Sequence, residues 1–102
     1  MKYRHRIELI ADVLFASLKG TMKTHIMNQG NLNFKQLNFY LKIVMNSGLL
    51  LFDSTNKLYF ITEKGETFLS VFKGYKQRLQ ELEEQHTIVD EKRLCLERMC
   101  SL

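Results

Sequence analysis

The stretch Lys23–Leu50, KTHIMNQGNLNFKQLNFYLKIVMNSGLL, decides the fold, because it reads as two helices joined by a tight turn. A short helix is expected to start around Thr24, whose hydroxyl can cap the free amide of Ile26 or Met27. Gln29-Gly30-Asn31 breaks it, since glycine and asparagine tolerate the positive φ of a tight turn. Asn33 then caps the next helix, with Gln36 three residues on in the capping-box position. That helix, about Phe34 to Asn46, turns Phe34, Leu37, Leu41 and Val44 inward, with Tyr40 at the edge. Lys35, Gln36, Asn38, Phe39 and Lys42 occupy the opposite face. Ser47-Gly48 ends it, glycine supplying the left-handed residue after the helix.

On the N-terminal side, Ile7, Ile10, Ala11, Leu14 and Leu18 recur at helical spacing between Tyr3 and Lys19, with Phe15 widening the face. They predict a first amphipathic helix that ends near Gly20. On the C-terminal side, Leu49–Phe52 and Leu58–Ile61 are apolar runs split by Asp53-Ser54-Thr55-Asn56-Lys57, a composition suited to a hairpin loop. Thr62 caps a last helix, with Glu63 well placed at its positive end. The order is helix, short helix, turn, helix, β-hairpin, long helix. Two helices and a tight turn followed by a hairpin make a winged helix-turn-helix, with the third helix as candidate reader of a major groove. The fold class expected is mainly α with one small β-hairpin.

From Glu63 to Leu102 the chain reads as one helix with a heptad seam. Phe68, Phe72, Tyr75, Leu79, Leu82, His86, Val89, Arg93, Leu96 and Cys100 follow at alternating steps of four and three. Such a helix would span roughly 55–60 Å at 1.5 Å per residue. The rest of the chain has too little surface to cover that seam, so a second copy is the natural cover. Gly65 and Gly74 cost about 1 kcal/mol each against alanine and leave room for a bend near its base without ending it. Two domains follow: residues 1–62, a winged helix-turn-helix, and residues 63–102, a dimerisation helix. Phe72, Tyr75, Leu79, Leu82, His86, Val89, Arg93 and Leu96 are the expected pairing residues. Antiparallel pairing is expected, because a parallel pair would set Arg93 against Arg93 and His86 against His86.

The net charge of +4 is unevenly distributed. Residues 1–62 carry eight Lys/Arg against three acids, or +5, and residues 63–102 carry seven against eight, or −1. A positive globular part favours a polyanionic partner. No apolar run approaches the eighteen or so residues of a membrane span. The basic segment Met1–Arg6 lacks a following apolar stretch of the secretory kind. No membrane role is expected, and a cytoplasmic, nucleoid-associated location is.

Lys23–Leu50, followed by LYFITEKGETFL (Leu58–Leu69), resembles the small archaeal winged-helix DNA-binding proteins of the Sulfolobus chromatin-associated type. The likeness covers roughly Ile7 to Phe72. It is carried by Lys23-Thr24, Ile26-Met27, Asn31-Leu32, Gln36-Leu37, Tyr40-Leu41, Gly48-Leu49 and Thr62-Glu63-Lys64-Gly65. It implies duplex DNA binding by a homodimer with a C-terminal antiparallel coiled coil, and no enzymatic activity. His25 stands where such proteins usually have arginine, and Asn38 and Phe39 stand where lysines are frequent. Fewer fixed charges should weaken phosphate contacts. Phe39 either touches a thymine methyl or covers an edge of the core, the second being the favoured reading.

The candidate DNA-binding residues are Lys23, Thr24, His25, Asn33, Lys35, Gln36, Asn38, Lys42 and Lys57. Thr24, Asn33, the basic side chains and helix-start amides would position phosphates. Gln36, Lys35 and Asn38 are best placed to meet base edges. Lys57 belongs to the wing. Cys95 and Cys100 lie five apart on one helix and cannot join to each other, and no zinc spacing surrounds them. No phosphate-binding glycine loop, nucleophile motif or catalytic carboxylate pair is present, so neither an enzyme nor a cofactor is expected. The competing class is a protein-interaction adaptor that uses the rod and an apolar face around Phe39 and Ile43.

Overall fold

The structure, a computed structural model, describes residues 5–100. The elements are α1 (Arg6–Ala16), α2 (Lys23–Gln29), α3 (Phe34–Asn46), β1 (Leu50–Asp53), β2 (Leu58–Ile61) and α4 (Glu63–Met99). Element order and fold class are those expected from the sequence. One compact unit ends at Val71 and a second begins at Phe72.

The first helix is shorter than its pattern suggests. Its expected start at Tyr3 lies outside the described residues. His5 is the N-cap, its Nδ1 accepting from the Ile7 amide at 3.3 Å. Leu9, Ala11, Val13 and Leu14 are buried, whereas Ile7 and Leu18, assigned to the stripe, are exposed. The burial spans an arc of about 200° of this helix, wider than a seam. Ile7 sits in the first turn, and Leu18 lies past the C-cap residue Ser17, where helical spacing no longer holds. Buried Ser17 turns its hydroxyl back to donate to the Val13 carbonyl at 2.9 Å.

Around the turn, two details of the sequence reading are corrected. α2 begins at Lys23 with Met22 as N-cap and no side-chain capping bond. The Ile26 amide donates instead to the Met22 carbonyl at 3.2 Å, so Thr24, inside the helix, does not cap it. In the turn itself Asn31 takes the positive φ of 51°, while Gly30 is right-handed. A Cβ on Gly30 would press on the Ile26 carbonyl and the Leu32 side chain, so glycine is there for space. The third helix matches its expected limits, and its capping box is complete. Gly48 follows it with φ +74°.

The hairpin pairs antiparallel, with Leu50 opposite Ile61 and Asp53 opposite Leu58. Asp53 therefore belongs to the strand, and the loop has four residues, Ser54 to Lys57, not five. Thr21 adds a bridge to Tyr59 through two backbone bonds of 2.9 and 2.7 Å, tying the hairpin to the α1–α2 connection. Thr62 caps α4 by accepting from the Gly65 amide at 3.0 Å and donates to the Gly48 carbonyl at 2.6 Å. Lys64 Nζ donates to the Ser47 carbonyl at 2.7 Å. The start of α4 is thus fastened to the end of α3. A Cβ on Gly65 would meet the Leu49 carbonyl oxygen and the Ile61 side chain. Gly65 marks close packing, and neither Gly65 nor Gly74 ends α4, which runs through both. Leu14, Ile26, Leu37, Val44, Leu50 and Leu69 form the core, which α1, α2, α3, β1 and α4 all enter.

Candidate nucleic-acid interface

The outer face of α3 carries a single exposed stripe. Lys35, Asn38, Phe39 and Lys42 stand at steps of three, four and seven, the spacing that aligns side chains along one side of a helix. All four are exposed, as is Gln36. Leu37, Leu41 and Val44, buried on the opposite side, fix this orientation. Phe39 is 50% exposed and meets Tyr40 edge-on, with ring centroids 5.2 Å apart.

The start of α3 sets what Asn33 and Gln36 can offer. Asn33 Oδ1 accepts from the Gln36 amide at 2.8 Å, and Gln36 Oε1 accepts from the Asn33 amide at 3.2 Å. Both carbonyl oxygens are engaged in the cap, so each side chain faces a ligand chiefly through its NH2 group. Such donors suit phosphate oxygens and purine N7. A bidentate pair between Gln36 and adenine would also need Oε1 as acceptor, and one of its lone pairs is already used.

Lys23, Thr24 and Lys57 come together. With Met22, Phe52 and Tyr59 they line a notch between the start of α2 and the hairpin. Phe52 and Tyr59 pack across the strands with ring centroids 4.7 Å apart. Lys57 holds φ at +54°, and the turn before it is ordered by Asp53. The Asp53 carboxylate accepts from Asn56 Nδ2 at 2.9 Å and from the Thr55 amide at 3.0 Å. Those bonds to Asn56 and Thr55 hold the Asp53 carboxyl below its ordinary pKa. His25 is placed elsewhere. It lines a depression against α1, with Asp12, Lys19 and Gln29, and does not enter the Lys23–Lys57 notch.

Sequence reasoning missed Phe34. The helical pattern turns it inward on α3, but the residue is 64% exposed, and Lys23 Nζ lies 4.9 Å from its ring centroid. A helical wheel gives it the phase of Leu37 and Leu41. As the first residue of α3, however, it lies at the limit of the packed core. A position next to the cap was the signal available.

In the second unit, Tyr75, Leu82, Val89 and Leu96, four of the expected pairing residues, are exposed, Leu82 at 62% and Val89 at 64%. Phe72 and Leu79 are half-buried. Asp90 joins two more of the expected pairing residues within the same helix, His86 at 3.1 Å and Arg93 at 3.7 Å. Among the described residues no group of three or more His, Cys, Asp or Glu could hold a metal ion. No described helix is long and apolar enough to cross a membrane.

The fold is shared with Sso10a-2, described as a DNA-binding protein from Sulfolobus solfataricus. The two superpose with a TM-score of 0.80 over 86% of this chain and 95% of that one, at 22% identity. Comparison with curated proteins yields no match. Residues 3–80, well over half of the chain, match the winged helix-turn-helix family. With helix, turn, helix and wing in that order, the chain belongs to the winged helix-turn-helix family.

Proposed function

We propose that this chain is a homodimeric double-stranded DNA-binding protein, either a transcriptional regulator or an architectural protein of the nucleoid. The observation that carries the reading is the face of α3, where Lys35, Gln36, Asn38 and Lys42 are all exposed. Beside it Lys23, Thr24 and Lys57 line one notch. Exposed lysines and amide donors on a helix of this length fit a major groove and its flanking phosphates. The +5 charge of residues 1–62 supports a polyanionic partner. The DNA-binding description of the Sulfolobus protein of the same fold supports it further. Nothing in this reading calls for catalysis or a cofactor.

The dimer is supported by the second unit. From Phe72 onward α4 exposes Leu82, Val89 and Leu96 at seam spacing. Isolated helices gain little from propensity alone and usually depend on burying an apolar face. Antiparallel pairing keeps Arg93 away from its own copy and allows a contact with an aromatic ring such as Tyr75. On this reading residues 1–62 bind DNA and residues 63–102 pair two copies. A mobility shift of a 30-base-pair duplex at low salt, combined with sedimentation of the free protein, tests both halves. A dimer that shifts duplex at low micromolar concentration is expected. A dimer with no shift would instead favour an adaptor that uses the half-exposed Phe39 and its neighbour Ile43.

A further inference from the structure

We infer that Phe34 is a DNA-contacting residue that recognises the C5 methyl group of thymine. The inference rests on the DNA-binding reading above and adds a sequence preference to it. Phe34 is the first residue of α3, directly after the cap Asn33, and in helix-turn-helix proteins the N-terminal residues of this helix reach base edges. Phe34 is 64% exposed, so folding leaves most of it open. Single exposed apolar side chains are common on protein surfaces, but one at the start of this helix lies where a base edge is met.

The surroundings specify the chemistry of that partner. One side of the ring faces the Lys23 ammonium at 4.9 Å, and Lys35 follows it in the helix. An apolar protein surface would have to desolvate the Lys23 ammonium to reach the ring, at a cost. Duplex DNA offers phosphates to the lysines and, in the major groove, one apolar group: the thymine methyl. Lys23 toward the backbone and Phe34 toward the base then act as one unit.

The test compares two 30-base-pair duplexes, alternating A/T and the same sequence with uracil replacing thymine, bound to the full-length protein. Burying one methyl is worth roughly fourfold in affinity, acting once in each half of a dimer. The protein should bind the thymine duplex at least about fourfold more tightly. Phe34→Ala should abolish that preference with its helical CD unchanged, whereas Phe34→Leu, which keeps an apolar side chain, should retain part of it. Equal affinity for both duplexes would overturn the inference while leaving DNA binding intact. So would a preference that survives Phe34→Ala, or one that disappears only with Phe39→Ala. Absence of binding to either duplex at low salt would overturn the DNA-binding reading as well.

Discussion

Asn33 and Gln36 cap each other at the start of α3, through bonds of 2.8 and 3.2 Å. This pairing gives two residues of the proposed interface a structural duty as well. Asn33→Ala should lower stability by about 1 kcal/mol, as loss of an N-cap does. Gln36→Glu keeps the acceptor that bonds the Asn33 amide and adds a negative charge at the positive helix end, so thermal stability should hold or rise. It removes the NH2 donor, so duplex affinity should fall. Thermal melts and duplex titrations of both variants separate the two duties. A Gln36→Glu protein that binds duplex as tightly as the parent would remove Gln36 from the interface.

The two glycines of α4 should respond in opposite ways to alanine. Helix propensity alone favours both changes by about 1 kcal/mol. A Cβ at Gly65 would meet the Leu49 carbonyl and Ile61, whereas nothing lies within 4 Å of one at Gly74. Gly65→Ala should therefore lower the melting temperature, by overpacking of the sort that costs about 1–3 kcal/mol. Gly74→Ala should raise it. Equal gains in both melts would contradict the close approach at Gly65.

The wing should loosen at acid pH. Asp53 has its pKa lowered by the bonds from Asn56 and Thr55, so the folded turn holds the carboxylate form. The resulting order is fully present above the ordinary aspartate pKa and is lost as pH falls through the depressed folded value. The amide resonance of Thr55 should shift over that acidic window and be insensitive near neutrality. Asp53→Ala should give the loosened wing at every pH. A Thr55 resonance unchanged down to pH 2 would show that the turn does not depend on the carboxylate.

Pairing of α4 should be antiparallel. Cys100 is exposed and continues the seam beyond Leu96, so in a parallel pair the two copies would lie side by side. Antiparallel helices place them at opposite ends. Mild oxidation in solution should give slow, low-yield crosslinking through Cys100 in a Cys95→Ser background. Rapid and nearly complete crosslinking would favour parallel helices and reverse the assignment.

What the sequence made legible was mostly local. The caps Asn33 and Thr62, the end of α3 at Gly48 and the two hairpin runs depend on neighbours within a few residues, and all were readable. The exposed stripe from Lys35 to Lys42 followed from its opposition to Leu37, Leu41 and Val44. The misreadings have a shared cause. The wheel gives a phase but does not say where neighbouring elements end, so it turns Phe34, Ile7 and Leu18 inward although each lies at or past a helix end. The bridge between Thr21 and Tyr59 joins residues 38 positions apart, and no periodicity announces it. The same holds for Gly65, whose neighbour Leu49 is remote in sequence, and for the company of Lys23 and Lys57 in one notch.

The most direct test of the account is the salt dependence of duplex binding by the full-length protein and by its Lys35→Ala and Lys42→Ala variants. If each half of the dimer neutralises three to four phosphates, the log–log slope should be roughly −5 to −7. Each substitution should weaken binding to every sequence and flatten the slope by about one unit per phosphate lost, doubled in a symmetric dimer. A slope near zero for the parent protein, or variants indistinguishable from it, would contradict binding through the α3 face.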